Sequence, residues 1–372
     1  MARKFGKKNH VKIDPFNYSL MLLGEPKVGK TSMLYEVANK LLGEDGYIFA
    51  ELYREHGADA IEGIVAEDIP DWETWVEFVD DIVYNKTTDY ADLRCVFLDT
   101  YDQYILMAEQ EALSMWNRKN PDKRVDSLNA AWNGYGAGGK KAIEIMFEQT
   151  DRLESVGVKV WWIGHCKTKE VKNIYNDDTY QILTSDQQQN YFNALKKNLH
   201  FLCLAYFDRE LQKEKTGKKT VNTIAEETRK VKFRDDSFVV DSGSRFKHIV
   251  SEINLDADEF INAITDAIRA EIEGNGGSVE KRKEENAKED AENTKQIAKR
   301  EEEMRVQREA EQEKAELENV IEDIVDFVRT NIGKNKEAVE PVMAACKERG
   351  YANPTEIDSL EDAKAILAIT FK

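Results

Sequence analysis

The chain has 372 residues, of which 41% are hydrophobic and 33% charged, and its formal net charge is −18. That length allows a substantial core and more than one domain, while the acidic balance excludes a uniformly basic polyanion binder, so any contact with nucleic acid has to be local. Cys95, Cys166, Cys203 and Cys346 are the only cysteines. They match neither a zinc framework nor a redox pair and read as reduced thiols. No run approaches the roughly 18 apolar residues that span a bilayer, and the amino terminus lacks the apolar stretch of a secretory signal, which points to a soluble protein of the cytoplasm.

Residues 1–17 form a basic arm carrying Arg3, Lys4, Lys7, Lys8 and Lys12. From 18 to 272, short β-branched and aromatic runs alternate with amphipathic stretches, the pattern of an α/β domain with a mainly parallel central sheet. Strands are predicted over 18–23, 47–52, 93–100, 158–165 and 201–207. The runs VKFR (231–234) and FVVD (238–241), split by two aspartates and a serine, predict a hairpin at one sheet edge. The glycine-rich EGNGGS (273–278) then breaks the chain.

The following stretch to residue 318 is almost entirely Glu, Lys, Arg, Gln and Ala, the composition of a long exposed helix with charge pairs three or four residues apart. Its apolar residues are sparse, so a solitary charged spacer and a weak coiled coil both remain open. Val320, Ile321, Ile324, Val325 and Val328 recur at helical spacing, and residues 319–372 read as a small helical domain. No internal repeat is evident.

Gly24-Glu25-Pro26-Lys27-Val28-Gly29-Lys30-Thr31-Ser32 lies between the first predicted strand and a predicted helix. It fits G-x-x-x-x-G-K-[ST], in which glycines turn backbone N–H groups around a phosphate, the lysine reaches the β and γ oxygens, and the hydroxyl ligates magnesium. All nine residues are candidates for holding ATP. A phosphate loop of this kind requires an acidic residue at the end of a neighbouring strand, and CVFLD ends on Asp99, which with Thr31 gives the candidate Mg²⁺ ligands.

Hydrolysis needs a group that orients or deprotonates water. Glu51 and Glu55 both follow the second strand, and Glu55, in a strand-end loop, is the first choice. His165, in IGHCK, stands at a strand end on the side where such sheets bind ligands, as a candidate sensor of the γ-phosphate or as a packed structural histidine. The candidate catalytic set is therefore Lys30, Glu55, Asp99 and His165.

The order YSLMLLGEPKVGKTS, CVFLDT, YGAG, WWIGHCKTKE, RKVKFRDD and GSRF resembles the phage-encoded RecA-like P-loop ATPases of the Sak4 type, over residues 10–270. The resemblance implies a RecA-like core, ATP and Mg²⁺ as cofactors, and an ATPase that binds single-stranded DNA and promotes annealing or strand exchange, in the host cytoplasm if phage-encoded. It also implies a ring or filament of identical subunits with ATP between neighbours. Arg245 of GSRF would then contact nucleotide across that boundary, or else pair locally with Asp241 or Asp256. The charged helix and the terminal domain lie outside the resemblance, and the segment around Glu55 departs from it.

Positive charge gathers locally at Arg118, Lys119, Lys123 and Arg124, at Lys167, Lys169 and Lys172, and at Lys196 and Lys197. The segment after Lys172 reads as an irregular loop in which Tyr175, Tyr180, Tyr191 and Phe192 would stack on bases while lysines meet phosphates, or would pack on the sheet. Asp177 and Asp178 weaken the field there. A nucleotide-switched oligomeric scaffold and a helicase or helicase loader are the competing functions, and a single-strand-binding protein is a candidate partner for the terminal domain.

Overall fold

The computed structural model describes residues 9–172, 178–216, 219–235, 240–332 and 334–370. Arg3, Lys4, Lys7 and Lys8 of the expected arm, Tyr175 and Asp177, and Phe238 and Val239 of the FVVD run lie outside these residues. The described strands are β1 (Leu20–Gly24), β2 (Tyr47–Leu52), β3 (Ala66–Ile69), β4 (Cys95–Asp99), β5 (Lys159–Lys172), β6 (Thr179–Ser185), β7 (Phe201–Thr216), β8 (Lys219–Lys232), β9 (Gly243–Ser244) and β10 (Glu252–Asn254). The helices are α1 (Lys30–Leu42), α2 (Trp72–Tyr84), α3 (Tyr101–Lys119), α4 (Ala137–Ser155), α5 (Gln189–Lys196), α6 (Ala257–Gly274), α7 (Val279–Asn331), α8 (Lys336–Glu348) and α9 (Leu360–Thr370).

The chain divides into two compact units, residues 1–297 and 298–372, with the division falling inside α7. In the first unit one sheet runs in the order β10-β8-β7-β1-β5-β4-β2-β3. Its middle, from β7 through β1, β5, β4 and β2 to β3, is parallel. Helices cover both faces of such a sheet, which is why LMLLG of β1 and CVFLD of β4 are buried at every position instead of alternating. This is the α/β architecture of a P-loop NTPase core.

Aromatic rings fill the interior. Phe97 stacks on Phe49 at 4.4 Å and meets Trp161 edge-on at 5.6 Å, while Phe16 stacks on the other side of the cluster against Trp161 at 4.5 Å. On α6, Asp256 caps the helix by accepting from the N–H groups of Asp258 and Glu259. The apolar stripe Phe260, Ile264, Ala267 and Ile268 then recurs at helical spacing and joins the same core.

Pairing registers place Gly24 of β1 beside His165 of β5 and Ala205 of β7, and Asp99 of β4 beside Glu51 of β2. Asp99 in turn lies beside Ile163, two residues before His165 on β5, so the two groups form adjacent steps near the carboxyl edge. At that edge β1 stops, but β5 and β7 continue. Beyond it β5 pairs antiparallel with β6, and β7 with β8, making two ribbons.

Two expectations change here. The edge hairpin is not built from VKFR and FVVD: β7 extends to Thr216 and its partner is β8, because the alternating residues after Phe207 continue to pair instead of turning. Of the FVVD run, Val240 makes an isolated bridge to Leu183. The segment after Lys172 is likewise not irregular where it is described: residues 173–177 lie outside the described residues, Thr179–Ser185 pairs with Cys166–Lys172, and α5 follows.

In the second unit, Val320 and Ile324 of α7 pack with Val342 and Cys346 of α8 and with Ala363 and Ile366 of α9. This is the small helical core read from the valine and isoleucine spacing. The charged helix runs without a break past residue 318, where a boundary was expected, to Asn331. Pairs such as Arg305 with Glu302 and Glu309 line its exposed surface.

Replacing Phe97 by alanine removes a ring that touches Phe49, Tyr47, Phe16 and Trp161. The expected cost is about 3–5 kcal/mol, measured as a fall in the urea midpoint of the first unit's unfolding transition; a change under about 1 kcal/mol would show that this cluster repacks freely.

Candidate active site

Residues 24–32 form the loop between β1 and α1, and its backbone explains its glycines. A Cβ on Gly24 would stand 2.8 Å from the Ala205 carbonyl oxygen, closer than packed atoms approach. Gly29 has φ +105°, in the left-handed region, and serves as the N-cap of α1 without any side-chain cap. The first amides of α1 are thus directed into the loop and left for an anion.

Val28 is fully buried and fixes the loop against the core, while Pro26, Lys27 and Ser32 are exposed and Glu25 is half-buried. The Glu25 carboxylate accepts from the Phe207 N–H at 3.3 Å. Lys30 is buried, and its ammonium donates to the loop's own Gly24 and Glu25 carbonyls at 3.3 and 3.2 Å. Burial pushes its pKa down, and the Asp99 carboxylate works in the opposite direction.

Thr31 Oγ1 donates to Asp99 Oδ2 at 2.7 Å. Asp99 is almost fully buried, and burial pushes its pKa up to about 7; the Thr31 hydrogen bond lowers it and the neighbouring Glu55 raises it. A Cβ on Gly57 would lie 3.4 Å from Thr31 Oγ1, 3.5 Å from Asp99 Oδ2 and 3.7 Å from Glu55 Oε1. Three oxygens therefore surround one small space that a side chain at position 57 would fill. Hard oxygen donors around such a space fit Mg²⁺ bound through few protein ligands and completed by water and phosphate.

The structure separates the two glutamates. Glu51 is buried, and its Oε1 accepts the Ala58 N–H at 2.6 Å, so it braces the turn that carries Glu55. Burial raises its pKa while that N–H lowers it. Glu55 faces the Thr31–Asp99 pair.

His165 stands beside Gly24, and both its backbone N–H and its Nδ1 lie on Asp102 Oδ2, at 2.9 and 2.8 Å. The Gln187 amide donates to the other Asp102 oxygen at 3.0 Å. The Asp102 hydrogen bond raises the His165 pKa against the opposing effect of burial. Burial works to raise Asp102 as well, but its bonds to His165 outweigh this and hold the carboxyl below the usual range. Asp186, whose N–H donates to the His165 carbonyl, is pushed up to about 6 by burial and by Asp102. Sequence reading missed Asp102 and Gln187; Asp102, three residues after Asp99 and in the first turn of α3, was the available signal.

Within its own chain Arg245 lies away from this loop. Its N–H donates to the His200 carbonyl and its guanidinium to the Lys197 carbonyl, beside the start of β7 at the opposite edge of the sheet, and it pairs with neither Asp241 nor Asp256. Tyr191 and Phe192 are also corrected: each is 2% exposed, since the apolar face of α5 packs inward, so neither is open to a base. Tyr180 is exposed, and Tyr135 is wholly so, on a turn where Trp132, Asn133 and Tyr135 all have positive φ. Just beyond, a Cβ on Gly139 would meet Tyr191 and Asn190 at 3.3 and 3.5 Å, which places the start of α4 against α5. Lys169 of β5 in turn donates to Gln189 at 3.2 Å.

Loop, helix amino terminus and strand-end aspartate together define a P-loop nucleotide-binding domain. The profile of the AAA domain family matches residues 17–234, more than half of the chain, and the protein belongs to that family of P-loop ATPase domains. Comparison with curated protein sequences returned no match. Among the described residues no helix is long and apolar enough to cross a membrane.

The His165–Asp102 pair predicts a pH dependence. Because the folded-state pKa of His165 lies above its ordinary value of 6.5, its contribution to stability is complete below about pH 6.5 and is lost as pH rises through the folded value. Urea titrations between about pH 6 and 9 should show this decline, and His165→Gln should flatten it. An identical slope in the variant would remove the pair as its source.

Proposed function

We propose that the protein is an ATP- and Mg²⁺-dependent ATPase of the RecA-like, Sak4 type that binds single-stranded DNA as an oligomer and promotes annealing or strand exchange in phage recombination. The observation that carries this reading is the convergence of Lys30, Thr31, Asp99 and Glu55 at the edge from which the two ribbons extend. Bound Mg²⁺ would supply charge neutralisation at the β and γ phosphates. Thr31 and Asp99 would hold it.

Lys30 would exchange its two carbonyl partners for phosphate oxygens, keeping its charge buried and paired. The amides of Gly29 and of the first turn of α1 would orient the phosphate chain. Glu55 would hold and deprotonate the attacking water. His165, fixed through Asp102, adjoins Gly24 on one side and opens the β5–β6 ribbon on the other, so a change at the phosphate loop would be passed to that ribbon.

For DNA, the exposed Lys167, Lys169 and Lys172 provide local positive charge on an acidic chain, and Tyr135 and Tyr180 offer exposed rings for stacking. The binding term is electrostatic, so it should weaken steeply with salt. A single-strand-binding protein is the proposed partner of the carboxyl-terminal unit.

Two measurements test the reading. Lys30→Ala should abolish nucleotide binding, and Glu55→Gln should leave binding intact while slowing hydrolysis by at least about 100-fold, the scale of a lost general base. Labelled single-stranded DNA should be retained only with ATP and Mg²⁺, and the triple change of Lys167, Lys169 and Lys172 to alanine should weaken retention at least about tenfold. ATP-dependent assembly with no DNA retained would sink the DNA reading and favour the scaffold.

A further inference from the structure

Arg229 lies on β8, opposite Phe207 of β7 in the ribbon register. A Cβ built on Gly29 would stand 3.4 Å from Arg229 Nη1 and 3.2 Å from Leu255 Cδ2. The guanidinium therefore rests over the last glycine of the phosphate loop, within the same chain. Its backbone is fixed there, since the Leu255 N–H donates to the Arg229 carbonyl at 2.8 Å.

The charges around it are engaged with one another. Arg209 pairs with Glu227 at 2.8 Å, and Lys230 pairs with Asp208 and Glu252 at 2.7 and 3.2 Å. Among the described residues no carboxylate pairs with Arg229; it meets the Phe207 ring at 5.6 Å, a face it shares with Arg209. Phe207 is itself tied to the loop through its N–H on Glu25.

This placement is electrostatically unfavourable in the bare protein. A cation beside the amino terminus of a 13-residue helix opposes the positive end of the helix dipole, and the Lys30 ammonium lies in the same loop. A polyphosphate in the loop would attract the guanidinium, the Lys30 ammonium and the helix amino terminus alike, offsetting both repulsions. Such an anion also matches the guanidinium's fork of donors.

We propose that Arg229 is a phosphate-contacting cation of the nucleotide site, delivered in cis by the β7–β8 ribbon. It binds the phosphate chain of a nucleoside triphosphate, and by doing so it ties the base of that ribbon to nucleotide occupancy. The proposal rests on the nucleotide-binding reading above and adds to it a residue outside the G-x-x-x-x-G-K-T motif.

The test is equilibrium binding of MgATP and of adenosine, without turnover, to the full chain and to Arg229→Met, Arg229→Lys and Arg209→Met. Loss of a charged hydrogen bond predicts a Kd for MgATP raised about 10- to 100-fold in Arg229→Met, partial recovery in Arg229→Lys, and no change in Arg209→Met. Adenosine, which lacks phosphates, should bind all four alike. The unliganded melting temperature of Arg229→Met should be no lower than that of the parent, since the charge it removes is repelled in the bare protein, and this separates lost contact from misfolding. An Arg229→Met Kd within about twofold of the parent overturns this assignment while leaving nucleotide binding in place. Failure of the parent chain to bind MgATP overturns both.

Discussion

The site depends on where β1 ends. Gly24 closes a strand held on both sides by parallel neighbours, and the Ala205 carbonyl stands where its side chain would be. The flanking strands run on while β1 gives way to the loop, so the loop occupies the width that a continued strand would have filled. Its amides must then find partners, and the left-handed turn at Gly29 directs those of α1 inward. A bulkier residue at Gly24 would separate β1 from β7 and with it the loop from both ribbons.

Buried charge is the second consequence of that geometry. Lys30 and Asp99 are both nearly inaccessible, and burial opposes the charge of each. In the bare protein the lysine is satisfied by carbonyls and the aspartate by one hydroxyl, which is a weak arrangement for two ionic groups. The groups that resolve it are a polyanion for the lysine and a divalent cation for the aspartate. Affinity for the pair is thus built in as relief of desolvation, and Glu55, close to Asp99, adds to the negative charge a cation would meet.

Much of this was legible because the chemistry is local. Nine consecutive residues specify the phosphate loop, and CVFLD carries both a buried strand and the acid at its end, so pattern alone locates Lys30, Thr31 and Asp99. The choice between Glu51 and Glu55 required the fold, since Glu51 turns back onto the Ala58 N–H only because the following turn brings it there. Asp102 escaped notice because its significance comes from β5, 63 residues away in sequence. Arg229 escaped for the same reason, lying in a strand whose hydrophobic pattern is interrupted by charges. The ribbons were hidden because the runs that form them are rich in charged residues, as at Lys167, Lys169 and Glu170 of β5, so the alternation that marks a strand is faint.

The two ribbons also give the proposed function a physical route from the site to distant surfaces. Each continues a strand that touches Gly24, so the position of the phosphate loop and the direction of both arms are set by the same three registers. A phosphate drawing Lys30 from the Gly24 and Glu25 carbonyls acts directly on the residue between those strands. Under the proposed reading, the response would pass on one side through His165 and Asp102 into β5 and on the other through Glu25 and Phe207 into β7. The coupling needs no moving domain, because the nucleotide and the two arms share a single strand end.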